Sequence, residues 1–429
     1  MFDSNMKTVL LGDLAFESKA RAGGGQEPKM PVYGVDRRTG LMPAAKYSSS
    51  NLSRYKVLKP GSFAYNPMRL NIGSIAYCSE KHEVGLVSPD YVVFECKGGL
   101  LDPKFLRYFI DGEDWQQWTA SAGVGSVRVR IYFRELAKMP LKVPSFEKQK
   151  RSAHILATLD NRIELNRRMN ATLEAMAGAL FQSWFVDFDP VKSNAQNGSP
   201  RVEDKLFPDS FEDSPLGAIP RGWEVGTIDD ATSLIIDYRG RTPKKMGSDW
   251  SEDGIPAISA KNVKGGRLVR PETFNYVSEE LYGKWMKDKL TQGDVLMTSE
   301  APLGELYYLA LDARYCLSQR VFALRADPSC CESTFLYHWL SLPSCQTEMA
   351  GRGTGSTVVG IRQSELRKVR VLLPPLAVQK AASGFLTPWV EQVHRNEDQN
   401  RNLSALRDAL LPKMLRGDLS TNELETISP

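Results

Sequence analysis

The chain has 429 residues, about three times the size of a common single domain, so we expect two or more domains. Hydrophobic residues at 42%, aromatic residues at 9% and charged residues at 25% are typical of a globular protein and exclude a disordered or fibrous chain. With 55 Lys and Arg against 51 Asp and Glu, the formal charge of +4 is too small to indicate a class of partner.

The N-terminal segment 1–25 lacks the basic-then-apolar pattern of a secretion signal, and no stretch has the roughly 18 apolar residues that a membrane-spanning helix needs. We therefore expect a cytoplasmic protein that does not contact a membrane. The six cysteines include no CxxC pair, which argues against a zinc site and against a disulfide framework. We expect buried thiols.

Comparison of the chain with itself indicates two tandem copies of one unit. The segment SAGVGSVRVRIYFRELAKMPLKVPSFEKQK begins at Ser121, and GRGTGSTVVGIRQSELRKVRVLLPPLAVQK begins at Gly351, which is a sequence offset of 230. These two segments align without gaps over their whole length, and more than a third of their positions are identical. Upstream of them the spacing drifts slightly, since LKPGS at position 58 and LTQGD at position 290 match at an offset of 232.

Each copy starts with a front domain, over residues 1–143 and 223–372, in which short β-prone runs are separated by Gly, Pro and Asn. The runs are SFAYNP, GSIAYC and YVVFEC in the first copy, and DVLMTS, GELYYLAL and RVFALRA in the second. One helix is predicted in each, over residues 103–110 and 333–340. The fold class is therefore α+β.

A long helix is predicted after each front domain, over residues 144–189 and 373–417, because apolar residues recur there at intervals of three, four and seven. About forty residues correspond to ~60 Å of helix. We expect the two helices to pair as an antiparallel coiled coil, with Asn166 and Asn396 fixing the register; the alternative is that each helix only covers its own domain. The predicted pairing residues are Ile155, Leu159, Asn166, Met169, Leu173, Met176 and Leu180 with Trp389, Val393, Asn396, Asn400, Leu403, Leu406 and Leu410.

Prolines mark the remaining segments. Residues 190–222 contain five prolines and a cluster of acidic residues, and they predict an exposed, semi-rigid connector, part of which could instead pack on a partner protein. Pro388 and Pro412 predict a kink and a frayed end in the second long helix. Residues 418–429 form a C-terminal tail.

Motifs of catalysis are missing from the sequence. The four histidines stand far apart without metal-ligand spacing, and there is no GxxxxGK[ST] phosphate loop and no GxGxxG dinucleotide motif. We therefore predict no catalytic residue, no metal and no cofactor in this chain, which is expected not to be an enzyme.

Basic stretches recur in both copies at corresponding positions, around residues 19–21 and 239–245 and around residues 121–134 and 351–362. A solvated charged face is the simpler interpretation, but recurrence favours binding, since Arg neutralises phosphates and hydrogen-bonds guanine, and exposed Gly amides also bind phosphate. The candidate DNA-binding residues are Lys19, Arg21, Arg69, Gly123, Gly125, Ser126, Arg128, Arg130, Arg239, Arg241, Lys244, Lys245, Arg352, Gly353, Gly355, Ser356 and Arg362.

The order of these parts resembles the DNA-specificity (S) subunit of type I restriction–modification enzymes. The features that carry the resemblance are the pattern GxGS…E-L…P…Q-K before each long helix and the phrases LFQSWFVDFDPV at position 180 and ALLPKMLRGDL at position 409. The resemblance covers essentially the whole chain.

The resemblance implies a non-catalytic subunit whose front domains are target-recognition domains, each reading half of an asymmetric bipartite sequence in double-stranded DNA. It implies that the paired helices set the gap between the half-sites. The implied partners are two methyltransferase (M) subunits, which bring S-adenosylmethionine, and two restriction (R) motor-nuclease subunits, which use ATP and Mg. The alternative function is a protein–protein adaptor organised by its coiled coil, without base-specific reading of DNA.

Overall fold

The structure, a computed structural model, describes residues 7–23, 30–37, 39–44, 51–122, 130–196, 206–355 and 358–419. The described parts of Met1–Leu165 and Gln399–Pro429 form one compact unit, unit 1, and Asn166–Asp398 forms a second, unit 2. None of the helices in the described ranges is long and apolar enough to cross a membrane.

In its described residues, unit 1 contains three sheets, whose strand orders are β2-β9-β6-β7, β4-β3-β8-β5 and β1-β10. The strands are β1 (Lys7–Leu10), β2 (Ala15–Glu17), β3 (Val32–Asp36), β4 (Gly40–Pro43), β5 (Lys56–Leu58), β6 (Ser62–Tyr65), β7 (Ile75–Tyr77), β8 (Gly85–Val87), β9 (Val92–Cys96) and β10 (Pro140–Val143). The helices are α1 (Leu11–Leu14), α2 (Pro103–Ile110), α3 (Glu113–Ser121), α4 (Phe133–Leu136) and the first half of α5 (Phe146–Phe185). Strand β6 lies between β9 and β7 in its sheet, and all four of its side chains are buried.

Unit 2 contains the sheets β14-β22-β19-β20, β18-β15-β21 and β13-β23 and two isolated hairpins. The helices are the second half of α5, α6 (Asp189–Ala195), α7 (Ile228–Ala231), α8 (Glu279–Trp285), α9 (Ser333–Ser341), α10 (Pro343–Gly351), α11 (Gln363–Leu366) and α12 (Leu376–Leu415), of which the last continues into unit 1. The strands are β11 (Phe211–Ser214), β12 (Gly217–Pro220), β13 (Glu224–Thr227), β14 (Thr232–Asp237), β15 (Ile255–Ile258), β16 (Val263–Lys264), β17 (Arg267–Leu268), β18 (Asn275–Val277), β19 (Val295–Thr298), β20 (Leu306–Tyr308), β21 (Cys316–Leu317), β22 (Val321–Ala326) and β23 (Arg370–Leu373).

The two units repeat the same elements at the spacing found in the sequence. Helix α9 begins at the position that matches the start of α2, and α12 begins and ends at the positions that match the two ends of α5. The long helices have 40 residues each. The predicted helices over residues 103–110 and 333–340 are therefore confirmed. Asp102 explains the start of α2, because its carboxylate accepts a hydrogen bond from the Phe105 amide at 2.9 Å and Pro103 follows it.

The long helices contact each other within each unit. In unit 1, Arg407 Nη1 of α12 donates to Asp160 Oδ1 of α5 at 3.0 Å. In unit 2, Asn396 Nδ2 of α12 donates to Asn170 Oδ1 of α5 at 2.7 Å. The antiparallel direction of the two helices stays a prediction, and so does coiled-coil packing along their full length.

Three predicted pairing residues lie outside the buried face of these helices. Met169, Met176 and Leu406 are 40%, 44% and 45% exposed, whereas Asn166, Asn170 and Ala177 on α5 are buried. The prediction was wrong for these three residues because the spacing of apolar residues alone does not tell which face of a helix is covered.

The segment predicted as an exposed connector has mostly exposed side chains in its described part, but a few apolar residues attach it to the core of unit 2. It contains α6 and the hairpin β11-β12, and Val191, Phe207 and Ile219 belong to the main core of that unit. These apolar residues are few and stand among prolines and acidic residues, so the sequence pattern did not indicate that they are buried. Helix α12 also runs without a break through Pro388 and Pro412.

Candidate nucleic-acid interface

The described parts of the candidate basic segments lie at one end of the sheet β14-β22-β19-β20 in unit 2 and of the sheet β2-β9-β6-β7 in unit 1. In unit 2, β14 and β19 both run antiparallel to β22, so their carboxyl ends lie beside the start of β22. This geometry brings together the segments that follow β14 and β19 and the residue before β22, Arg320. The same strand order in unit 1 brings together the segments after β2 and β6 and the residues before β9.

Hydrogen bonds join the Gly-rich loop to this end of the sheet in unit 2. The Ile361 amide donates to Ser299 O at 2.9 Å, and the Ser299 amide donates to Arg320 O at 2.8 Å. Arg239 Nη1 donates to Ile361 O at 3.3 Å. Thr354 and Gly360 form a β-bridge, and Gly360 forms a second one with Glu300. The loop is therefore fixed to the turn after β19.

Unit 1 has the corresponding arrangement. The Ile131 amide, at the position that matches Ile361, donates to Pro67 O at 2.9 Å in the turn after β6. A cleft of ≈ 340 Å³ lies beside this contact, and Lys56, Arg130 and Tyr132 are among the residues that line it. Glu17 and Asp90 also line the cleft, so the groups it offers to a phosphate or a base are the exposed Arg130 and the exposed ring of Tyr132.

Several candidate residues have exposed side chains with no ion pair or side-chain hydrogen bond to another residue of the described ranges. They are Lys19, Arg69 and Arg130 in unit 1 and Lys244 and Arg362 in unit 2. Their charged groups are available to phosphates.

Other candidates have internal partners in the structure. Arg239 donates from Nε and Nη2 to the two carboxylate oxygens of Asp237 and lies over the Phe322 ring. Arg241 donates to Trp285 O at 2.6 Å, and Arg352 forms an ion pair of 3.0 Å with Glu348. Lys245 donates to Gly240 O and Arg21 to Arg54 O, both at 2.8 Å. These contacts occupy some of the N–H donors of these side chains, so fewer donors are left to bind DNA.

The glycines of the second loop meet a backbone requirement. A Cβ on Gly353 would lie 2.6 Å from Val359 Cγ1, and Gly355 has φ +119°, which residues with a side chain rarely adopt. Their matches Gly123 and Gly125, together with Ser126, Arg128 and Ser356, lie outside the described residues.

Two basic residues at this end of the sheet were not predicted from the sequence. Arg320 forms an ion pair of 2.8 Å with Glu300 while its side chain stays 54% exposed, and its backbone is left-handed at φ 65°. Lys56 lies 3.7 Å from Glu17, and burial lowers its pKa. Lys56 is the first residue of β5 and Arg320 immediately precedes β22, so both are easily counted as strand residues.

Buried titratable groups lie elsewhere in the molecule. Burial lowers the pKa of His338 to about 4, and its ring packs against Phe181 and Tyr337. Burial raises the pKa of the Cys345 thiol to about 12, so this thiol is protonated near neutral pH. Among the residues described, no group of three or more His, Cys, Asp or Glu side chains could hold a metal ion.

Comparison with known families identifies the class of protein. Residues 5–175 and 220–403 match the model of the type I restriction modification DNA specificity domain. The two matches cover most of the chain, which therefore belongs to this family. They also confirm the tandem arrangement of two related domains. Specificity subunits of type I systems are non-catalytic, so the family identity supports the same status here.

Curated relatives and a solved structure agree with this assignment. The chain is 24% identical over 410 residues to the type I restriction enzyme HindI specificity subunit of Haemophilus influenzae, covering 85% of this chain and 88% of that protein. It is also 24% identical over 323 residues to the MjaIX specificity subunit of Methanocaldococcus jannaschii, covering 75% and 70%. The crystal structure of a type I restriction–modification S subunit from M. genitalium has a TM-score of 0.63 at 14% identity over 96% of each chain, which supports the fold.

Proposed function

We propose that this chain is the specificity subunit of a type I restriction–modification complex and reads an asymmetric bipartite target in double-stranded DNA. The observation that carries the proposal is the repetition of one sheet end, with exposed basic residues and an attached loop, in two units of dissimilar sequence. Each unit reads one half-site, and because their front domains differ, the half-sites are unequal. The paired long helices α5 and α12 set the gap.

The proposed partners follow from this role. Two methyltransferase subunits bind the chain and supply S-adenosylmethionine, and two restriction subunits supply ATP and Mg for cleavage. The chain itself holds no cofactor and works in the cytoplasm, where it meets the DNA. The proposed DNA contacts are the exposed Lys19, Arg69, Arg130, Lys244 and Arg362 and, with them, Arg320.

Methylation-sensitive sequencing tests this proposal. Cells that express the chain with its methyltransferase subunits should methylate one bipartite motif with a fixed gap, and deletion of the chain should remove that methylation. Without any motif that depends on the chain, the alternative of a protein–protein adaptor would replace the proposal.

Salt dependence provides a second test on the purified assembly. Neutralised phosphates release counterions, so log K for DNA falls linearly with log salt concentration. Affinity that is independent of salt would contradict the assignment of the exposed basic residues to phosphate contacts.

A further inference from the structure

The hairpin formed by β16 and β17 is fixed in position within unit 2. Gly265 and Gly266 form its turn with φ 56° and 74°, the combination of a two-residue type I′ turn. The Gly265 amide donates to Glu305 Oε2 at 2.7 Å, and a Cβ on Gly266 would lie 3.0 Å from Tyr337 Oη. The hairpin therefore presents Arg267 at a defined place.

Arg267 contacts both long helices. Its Nη2 donates to Glu174 Oε1 of α5 at 2.8 Å, and its Nε donates to Glu397 Oε1 of α12 at 3.0 Å. A guanidinium can do this because its donors are spread over a rigid plane, whereas an ammonium group is a single point charge.

The same carboxylate of Glu397 connects Arg267 to buried amides between the helices. Asn170 Nδ2 donates to Glu397 Oε1 at 2.9 Å, and Asn396 Nδ2 donates to Asn170 Oδ1 at 2.7 Å. Gln392 Nε2 then donates to Asn396 Oδ1 at 2.8 Å. We call Arg267, Glu174, Glu397, Asn170, Asn396 and Gln392 the Arg267 network.

The buried amides and the exposed ion pairs of this network contribute differently. The Asn170 and Asn396 side chains are buried, at 0% and 4% exposure, so their hydrogen bonds require one relative position of the two helices. The Arg267 side chain is 37% exposed and its carboxylate partners are 28% and 48% exposed, so solvent screens these ion pairs. The ion pairs of Arg267 thus contribute more to the orientation of the hairpin on the helices than to the stability of the fold.

We propose that Arg267 is a positioning residue that fixes the orientation of the second target-recognition domain on the helix pair and so sharpens the choice of gap length. This inference rests on the proposed function, in which the helix pair sets the gap. Arg267 acts through Glu174 and Glu397 and not by touching bases.

The experiment compares gap lengths on DNA whose half-sites are known from the methylation motif of the wild-type complex. The rate at which the assembled methyltransferase complex methylates DNA is measured on duplexes with the native gap and on duplexes whose gap is one base pair longer or shorter. Arg267→Ala should reduce the preference for the native gap by about three- to ten-fold, the range that a screened pair of ion contacts supports, and leave the half-site sequence unchanged. Arg267→Lys, which contacts one carboxylate, should fall between.

Lys264→Ala is the matched control. Lys264 is the cross-strand neighbour of Arg267 on the same hairpin and is exposed, so its loss removes an equal charge without breaking the Arg267 network. It should keep the wild-type preference for the native gap. If Arg267→Ala fails to fold, the Glu174→Gln/Glu397→Gln double variant, which keeps side-chain shape, takes its place.

The outcomes are distinct. Equal gap preference in Arg267→Ala, in Lys264→Ala and in the wild type would overturn the role of Arg267 while leaving the proposed function standing. A wild-type complex that methylates no bipartite motif would remove the proposed function itself.

Discussion

At the scale of single residues, Arg320 combines features that favour a role in DNA reading. Its left-handed backbone costs about 1–3 kcal/mol in a residue with a side chain, and such strain concentrates at functional sites. Glu300 orients the guanidinium from one side at 2.8 Å, while more than half of the Arg320 side chain faces solvent. The remaining donors can bind guanine or phosphate.

Replacement of Arg320 by Ala should therefore weaken binding to the specific target by about ten-fold, since a bidentate base contact is worth about 1–3 kcal/mol. Arg314→Ala is the control, because Arg314 is an exposed arginine in unit 2 that forms a comparable ion pair with Glu279 at 2.7 Å. Affinities are measured on target duplex and on a scrambled duplex. An equal loss in both variants would assign the effect to net charge.

His338 makes the stability of the chain depend on pH. Its folded pKa of about 4 lies below the ordinary 6.5, so the unfolded chain binds a proton that the folded chain does not. The contribution of neutral His338 to the free energy of unfolding is fully present above pH 6.5 and is lost as the pH falls toward 4. Between pH 7 and pH 5 the loss is about 2 kcal/mol.

His338→Phe should remove most of this pH dependence, because Phe fits the aromatic surroundings of Phe181 and Tyr337 and does not titrate. Urea unfolding at pH 7 and pH 5 measures the difference. Equal pH dependence in His338→Phe and the wild type would show that other groups cause it.

At the scale of elements, the helix pair shows what the sequence could and could not predict. The internal repeat predicted both long helices, and Asn166 and Asn396 are buried as expected. The partner of Asn396 is Asn170, however, and Met169 and Met176 face outward. Periodicity specifies that a helix has an apolar face, but which face is covered depends on long-range contacts that a single sequence does not contain.

The turn Gly265–Gly266 shows the opposite case, because the signal for it is local in the sequence. Two glycines between short β-prone runs are typical of a hairpin, and the hairpin carries Arg267. The Glu300–Arg320 pair had no such signal, because its partners are distant in sequence and meet only when β19 and β22 pair.

The buried amide pair yields a stability prediction. Asn170→Ala leaves the buried Asn396 amide without its acceptor, which should lower the free energy of unfolding by about 1–3 kcal/mol. The double variant Asn170→Leu/Asn396→Leu replaces both amides by apolar groups and should recover this loss. Urea unfolding of the full chain measures both. Asn161→Ala, at an exposed position on α5, should stay within about 0.5 kcal/mol of the wild type.

At the scale of the whole molecule, the weak net charge of +4 is the sum of unlike parts. Exposed cations such as Lys244 and Arg362 lie at the sheet end of unit 2, while acidic residues such as Asp209 and Glu212 lie on the segment that leads into β12. A composition total therefore conceals the basic surface, and the repeat in the sequence reveals it because the same arrangement occurs twice.

The length of α5 and α12 should determine the gap between the half-sites. One heptad inserted after Leu165 in α5 and one inserted after Asp398 in α12 keep the apolar faces in register and lengthen both helices by ~10 Å, at 1.5 Å per residue. Because DNA rises 3.4 Å per base pair, the methylated motif should keep both half-sites and gain about three base pairs in its gap.

Methylation-sensitive sequencing of cells that carry the lengthened chain reads the motif directly. A heptad in α5 alone is the control, because it leaves seven residues of α5 without a matching stretch of α12 and should abolish methylation of any bipartite motif. If the doubly lengthened chain still methylated the original motif with its original gap, the helix pair would not set the spacing. The gap would then have to be fixed by contacts of the recognition domains with the methyltransferase subunits.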